Sequence, residues 1–215
     1  MGKRAVVIGG FATGETILTP VANELCESGR ATDAEVFTFV QAMAKPEKVS
    51  RATKDALVVT HSAGILAVAT TMRPAELVAA NGPEPRTFWQ LASGAARKMR
   101  RNAALIRDAG YLYNTAYAQV AADNQAASRR HPWAHLKRVG QVQTFSTFGH
   151  LAAAQACDVR VAALVTQEDE FFPYVLHLDH PLVPTFEHKG NHDMLLAAPS
   201  VVLGQLPRDF ARQEA

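Results

Sequence analysis

Ser62 stands where two unlike segments meet. In ALVVTHSAGILAV, residues 56–68, a run of small and β-branched apolar residues has the composition of a buried strand. From Ala63 the chain turns Ala- and Leu-rich and reads as a helix, with only His61 and Ser62 between the two and Gly64 just beyond. A strand–serine–helix turn holds the hydroxyl exposed at the strand's end, in a strained backbone conformation, with a helix amino terminus behind it. The positions two before and two after must be small, because strand and helix pass close together there. Thr60-His61-Ser62-Ala63-Gly64 keeps the second glycine and has threonine in the first place. Such a serine can attack an acyl carbon once a base takes its proton. The plainer alternative is a serine that only caps a helix.

Two further stretches could supply the base and the acid. HKGNHDML, residues 188–195, puts His192 directly after the last strand-like run. ALVTQEDEFFP, residues 163–173, ends the preceding run in Glu168, Asp169 and Glu170. The chain order is thus serine, acid, histidine, each at the end of a strand-like run. A surface histidine and a solvated acidic run are the bland readings, each common singly. Together, in this order and context, they are hard to obtain by accident.

These groups need strand ends that share one edge. Residues 5–8, 34–40, 56–60, 77–80, 159–165 and 183–187 read as strands, with helix-like stretches at 16–28, closed by Gly29, and at 46–54. The alternation predicts an α/β fold: a mostly parallel sheet with helices on both faces. Right-handed crossovers then put the loops after the strands along one edge. The pattern breaks at NGPEP, residues 81–85. Helical stretches at 88–108 and 111–125 follow, without a convincing strand until residue 159, and a last helix is expected at 201–211. Residues 1–82 and 146–215 thus form the core, with 83–145 a helical lid inserted after the fourth strand. Leu91, Ala95, Met99, Ala103 and Ile106 recur at helical spacing as an apolar stripe, and Arg97, Arg100, Arg101 and Arg107 fall mainly off it.

By these residues the sequence resembles the α/β-hydrolase fold family over nearly its whole length. VVIGGFATGETILTPVANELCESG, residues 6–29, is similar to the family's first βα unit, whose glycine-rich turn forms the oxyanion hole. The resemblance implies Ser62, Asp169 and His192 as catalytic residues, with the backbone N–H groups of Phe11 and Ala63 as oxyanion donors and Gly10, Gly64 and His61 in support. Where the family usually shows His-Gly, this chain has Gly9-Gly10, and the chain begins at this strand without the two leading strands of larger members. Related proteins carry an aspartate four residues before a proline after the acid-bearing strand, as Asp169 stands to Pro173. Glu170 is the alternative acid and Glu84, after the fourth strand, a more remote one. The implied activity is hydrolysis of a carboxylic ester of a small to medium substrate through an acyl-enzyme, without a cofactor. The same residues could cleave a thioester, an amide or an activated C–C bond. A non-catalytic ligand-binding or signalling protein on this scaffold is the alternative from another class. Phe88, Trp89, Tyr111, Tyr113 and Tyr117 would line a lid pocket, or simply form lid core.

Composition limits the rest. The 215 residues are 48% hydrophobic and 20% charged, as in ordinary soluble globular proteins. No apolar run approaches the roughly 18 residues of a membrane span. The opening MGKRAVVIGGF loses its apolar run at Gly9-Gly10 and reads as a first strand, not a signal peptide. Cys26 and Cys157, each in a helix-like stretch, are expected as buried free thiols, which suits a cytoplasmic protein. His177, Asp179, His180 and the His188/His192 pair lack zinc-ligand spacing, so no metal is expected, and GGFATG fits no nucleotide loop. The net charge of +2 is uneven: residues 83–150 carry ten basic residues against three acids, leaving −5 for the rest. RKMRR (97–101) and RRHPWAHLKR (129–138) read first as a solvated face. They could also attract an anionic small-molecule substrate; nucleic acid is not expected.

Overall fold

All six runs read as strands are strands, and they share one sheet. The computed structural model describes residues 3–69, 71–107, 115–130, 138–173 and 182–207. In chain order the elements are β1 (Arg4–Ile8), α1 (Glu15–Glu27), β2 (Asp33–Phe37), α2 (Phe39–Ala44), α3 (Pro46–Thr53) and β3 (Leu57–His61). A 3-10 helix (Ser62–Ala67) leads to β4 (Glu76–Ala80), followed by α4 (Phe88–Arg107), α5 (Thr115–Arg130), α6 (Val139–Thr144) and α7 (Thr147–Gln155). The chain continues with β5 (Arg160–Glu168), β6 (Thr185–Asn191), α8 (Met194–Ala197) and α9 (Pro199–Gly204).

The strands lie in the order β2-β1-β3-β4-β5-β6, every neighbouring pair parallel. The chain leaves β1 toward β2 and returns to β3 on the other side. That reversal opens a crevice beyond the carboxyl ends of β1 and β3, bordered by the turn after each. The sheet is covered on both faces, which is why β3 and β4 are buried at every position. Alternate residues divide between the two cores. Val7, Val59 and Val78 pack with Leu18, Val21 and Leu203 on one side; Val6, Val58 and Leu77 pack with Val49, Phe148 and Leu151 on the other.

Several boundaries differ from expectation for identifiable reasons. The strand read at 34–40 stops at Phe37, because Thr38 and Gln41 form a capping box that starts α2 at Phe39. The helix expected after Ser62 is a short 3-10 helix. The helix expected at 201–211 ends at Gly204, and residues 208–215 lie outside the described set. Both cysteines are free, but Cys157 is exposed, in the turn after α7, and Cys26 is only partly buried. On α4 the expected apolar stripe faces inward only in part: Leu91 packs against the cluster of Phe39, Ala63, Val142 and Phe172, but Met99 is 72% exposed and Ala103 is exposed, while Gly94, Lys98 and Arg101 turn toward the core. Among the described residues no helix is long and apolar enough to cross a membrane.

Candidate active site

Ser62 begins the 3-10 helix with φ +52°, a left-handed conformation that costs a non-glycine residue energy and is kept only where the surroundings impose it. Two glycines impose it here. A Cβ on Gly64 would collide with the Ile8 carbonyl oxygen and lie 2.9 Å from that of Gly9, so β1 and the start of the 3-10 helix touch backbone to backbone. A Cβ on Gly10 would lie 2.6 Å from Ser62 Cβ, so the turn after β1 lies directly against the serine. Phe11 follows in that turn, its ring edge-on to Phe39 at 4.6 Å. The two expected oxyanion donors, Phe11 and Ala63, therefore belong to the two turns that border Ser62. Thr60 is fully buried and its hydroxyl donates to Val78 O (3.4 Å), so threonine is accommodated where a smaller residue was expected.

His192 directly follows β6. Its Nδ1 lies 2.7 Å from Asp169 Oδ2, and both side chains are almost wholly buried. The other carboxylate oxygen of Asp169 accepts the backbone N–H groups of Phe171 (2.7 Å) and Phe172 (2.9 Å). Phe171 packs edge-on to the imidazole, with ring centroids 4.9 Å apart. The carbonyl of His192 is held as firmly: His61 Nε2 and the Asn81 amide both approach it at 2.9 Å and donate to it. Asn81 in turn accepts from Thr166 N (3.0 Å) and Oγ1 (3.2 Å), which ties the turn after β4 to β5. His61 is 2% exposed, and its pKa is lowered to about 3 by burial first and by neighbouring His192 second, so its ring is neutral. Among the described residues no hydrogen bond joins Ser62 Oγ to the His192 ring, although His192 packs beside the adjoining His61 at 5.1 Å between centroids.

The other acids have different partners. Glu170 meets the backbone of His192, not its ring, accepting His192 N–H at 3.3 Å, and it pairs with Arg101. Glu84 caps α7, accepting from Phe148 N and Ser146 Oγ, each at 2.9 Å. Among the acids weighed from the sequence, only Asp169 touches the imidazole.

Asp193 and Asn81 were not singled out from the sequence, and Lys98 and Arg101, expected in RKMRR on a solvated face, instead pair with buried carboxylates. Asp193 is 1% exposed and is paired with Lys98 Nζ at 2.7 Å and with Arg101. Burial would raise its pKa, but Lys98, then His192 and Arg101, overcome this and hold the carboxyl well below the usual range. The sequence signal was there: Gly94, Lys98 and Arg101 share one helical face, and HD places an acid beside the histidine.

The expected pocket aromatics scatter. Phe88 and Trp89 are 52% and 78% exposed and pack on each other instead of lining an enclosed space. Tyr117 is partly buried, its hydroxyl 2.6 Å from Met194 Sδ. Tyr111 and Tyr113 lie outside the described residues, as do His177, Asp179 and His180. Among the described residues no three His, Cys, Asp or Glu side chains converge as metal ligands. A groove of about 750 Å³ lined by Arg4, Glu35, Lys48 and Arg51 lies beside β2 and α3, away from Ser62, and carries no nucleophile.

The sequence matches no protein-family model and no curated protein. Solved structures share its architecture. A hydrolase from Oleispira antarctica is 11% identical over 99% of this chain and 92% of its own, with a TM-score of 0.61. A carboxylesterase of the thaumarchaeon Nitrososphaera gargenis is 12% identical over 95% and 88%, with a TM-score of 0.59. The thioesterase domain of the curacin biosynthetic pathway is 12% identical over 94% and 90%, with a TM-score of 0.57. At these identities the likeness concerns the fold.

Proposed function

We propose that this chain, which has the α/β-hydrolase fold, is a serine hydrolase that cleaves a carboxylic ester of a small to medium substrate through an acyl-enzyme on Ser62. The observation that carries the reading is the buried His192–Asp169 hydrogen bond of 2.7 Å at the strand edge that also presents Ser62. Asp169 accepts from Nδ1–H and so fixes the tautomer, leaving Nε2 with a lone pair for a proton. His192 removes the Ser62 proton as the oxygen attacks the acyl carbon, then returns it to the departing alcohol. Water, deprotonated by the same nitrogen, releases the acid and restores the serine. The N–H groups of Phe11 and Ala63 stabilise the tetrahedral oxyanion, at about 3 kcal/mol per donor. Hydrogen bonds between nucleophile and base are commonly loose before substrate is bound, so the missing Ser62–His192 bond is compatible with this role.

The segment at 83–145 is read as a lid, and an anionic substrate as the partner its exposed cations favour. Two free cysteines fit a cytoplasmic location. Thioester, amide or C–C cleavage would use the same groups.

The test is labelling with a fluorophosphonate, read by intact mass on wild type, Ser62→Ala and His192→Ala. One adduct on wild type, absent from both variants, supports an activated serine. No adduct on folded wild type overturns the reading in favour of a ligand-binding scaffold.

A further inference from the structure

Among the described residues, the helical segment between β4 and β5 reaches the candidate site with its charges, and of its expected pocket aromatics Tyr117 lies beside them. A Cβ on Gly94 would lie 2.6 Å from the Glu170 carbonyl oxygen, so α4 rests on the loop after β5. One turn on, Arg97 donates to that same carbonyl at 2.5 Å. Lys98 Nζ lies 2.7 Å from Asp193 Oδ1 and 5.9 Å from the centre of the Phe171 ring. Arg101 bridges Asp193 and Glu170.

From α5, the Asn124 amide lies 2.6 Å from Ala12 O and 3.3 Å from Lys98 Nζ, and these neighbours assign its nitrogen to the first and its oxygen to the second. Beside it, Asp123 accepts Gly14 N–H at 2.7 Å, at the amino terminus of α1. The two helices thus hold both the turn beside Ser62 and the loop that carries His192. Surface ion pairs contribute little, but these are not surface pairs: the side chains of Lys98, Arg101 and Asp193 are 15%, 19% and 2% exposed.

We propose that Lys98 and Arg101 are positioning residues for His192: their ion pairs with Asp193 and Glu170 fix the loop that carries it and cancel the negative charge beside its ring. The role as a base rests on the function proposed above; the electrostatic coupling does not. The groups facing His192 are His61 from β3, Asp169 and Glu170 from the loop after β5, and Asp193 on its own turn. Lys98 and Arg101 face it from α4, and Tyr117 and Asn124 border the cluster from α5. Arg86, after β4, faces Asp169 without a hydrogen bond to it among the described residues. Two anions and two cations balance in the clamp, leaving Asp169, with Arg86 facing it, as the carboxylate on the ring. With a cation removed, the excess negative charge favours the imidazolium, and the ring keeps its proton to higher pH.

The test compares Lys98→Met, Lys98→Arg, Asp193→Asn and the Lys98→Met/Asp193→Asn double variant. Two readouts are taken: the NMR titration of the His192 ring proton, and the pH profile of kcat/KM for p-nitrophenyl acetate. Lys98→Met is expected to move the His192 midpoint and the acid limb up by about one pH unit, and Asp193→Asn to move both down by a similar amount. Lys98→Arg and the double variant restore the wild-type position. Midpoints unmoved, or moved the same way by both single changes, overturn the proposal and leave the pairs merely structural. Circular dichroism identifies a variant that fails to fold; if Asp193→Asn does, Lys98→Met against Lys98→Arg still decides. Expected shifts in the titration without ester turnover would sink the ester-hydrolase reading and keep the coupling.

Discussion

At the carboxyl edge of the sheet, position is set by backbone. Ser62 is forced to φ +52° by two glycines whose missing side chains let three segments touch, and the His192 carbonyl is gripped by two donors from neighbouring strand ends. The α4–α5 segment works by charge instead. Its inner face presents Lys98 and Arg101 to buried acids, while Met99, Phe88 and Trp89 face out. A backbone-built edge tolerates almost no change in shape, whereas a charge-built cover tolerates changes of shape but not of charge balance. The comparison can be broken at several points.

The largest effect separates two adjacent carboxylates that belong to the two regions. Asp169 is engaged by the strand edge through two amides and the imidazole; Glu170 turns to Arg101 of α4 and to the His192 backbone. Asp169→Asn, measured as kcat/KM on an activated ester, should lose about 10³- to 10⁴-fold, because the amide supports the wrong tautomer. Glu170→Gln should lose less than about tenfold, since it removes one pair from a four-membered clamp. A reversal of the two would move the acid into the segment's territory and dissolve the distinction.

The same division explains what was legible in the sequence. Strands announce themselves by composition, because a parallel sheet covered on both faces must be apolar at nearly every position, and all six were found. Ser62, Asp169 and His192 could be named as candidates because strand context limits where such groups can sit, and Asp169 and His192 do meet. The segment misleads because periodicity assumes that the inward face is apolar. On α4 that assumption fails: ion pairing with Asp193 and Glu170 turns Lys98 and Arg101 inward, and the methionine of the apparent stripe goes to solvent. Asn81 was passed over as part of a break in the pattern, NGPEP. Its φ of +48° and its amide bonds to the Thr166 backbone and the His192 carbonyl exist only once β4, β5 and β6 are side by side.

A pair of glycines tests the tolerance of shape. Gly64→Ala drives a methyl group into the Ile8 carbonyl, where no side chain can move away, and should cost about 3 kcal/mol or more in denaturant unfolding. Gly140→Ala, in α6, meets nothing within 4 Å and should be neutral or stabilise by about 0.5 kcal/mol, since alanine favours a helix. Equal losses at both would mean that the two regions are equally close-packed.

Acid separates the regions by pH. His61, at the strand edge, has an ordinary value of 6.5 and is held at about 3 in the fold. Between those values the unfolded chain binds a proton that folded His61 refuses, so stability falls as pH drops from about 6.5 toward 3, by at most about 1.4 kcal/mol per pH unit. His150 and His188, both pushed down by burial, act with the same sign. Asp193 responds elsewhere: its lowered pKa adds stability above its unfolded value of 3.8, and that contribution is lost only as pH falls below it. Between pH 6.5 and about 4 the loss therefore belongs to His61, His150 and His188, and the clamp begins to fail below that. His61→Gln keeps a donor for the His192 carbonyl but cannot titrate. Its unfolding free energy, followed in urea from pH 7 to 4.5, should fall less steeply than that of wild type. Parallel slopes would show that the strand edge accepts the proton on His61 without losing its grip on His192, so that its rigidity does not depend on a neutral ring there.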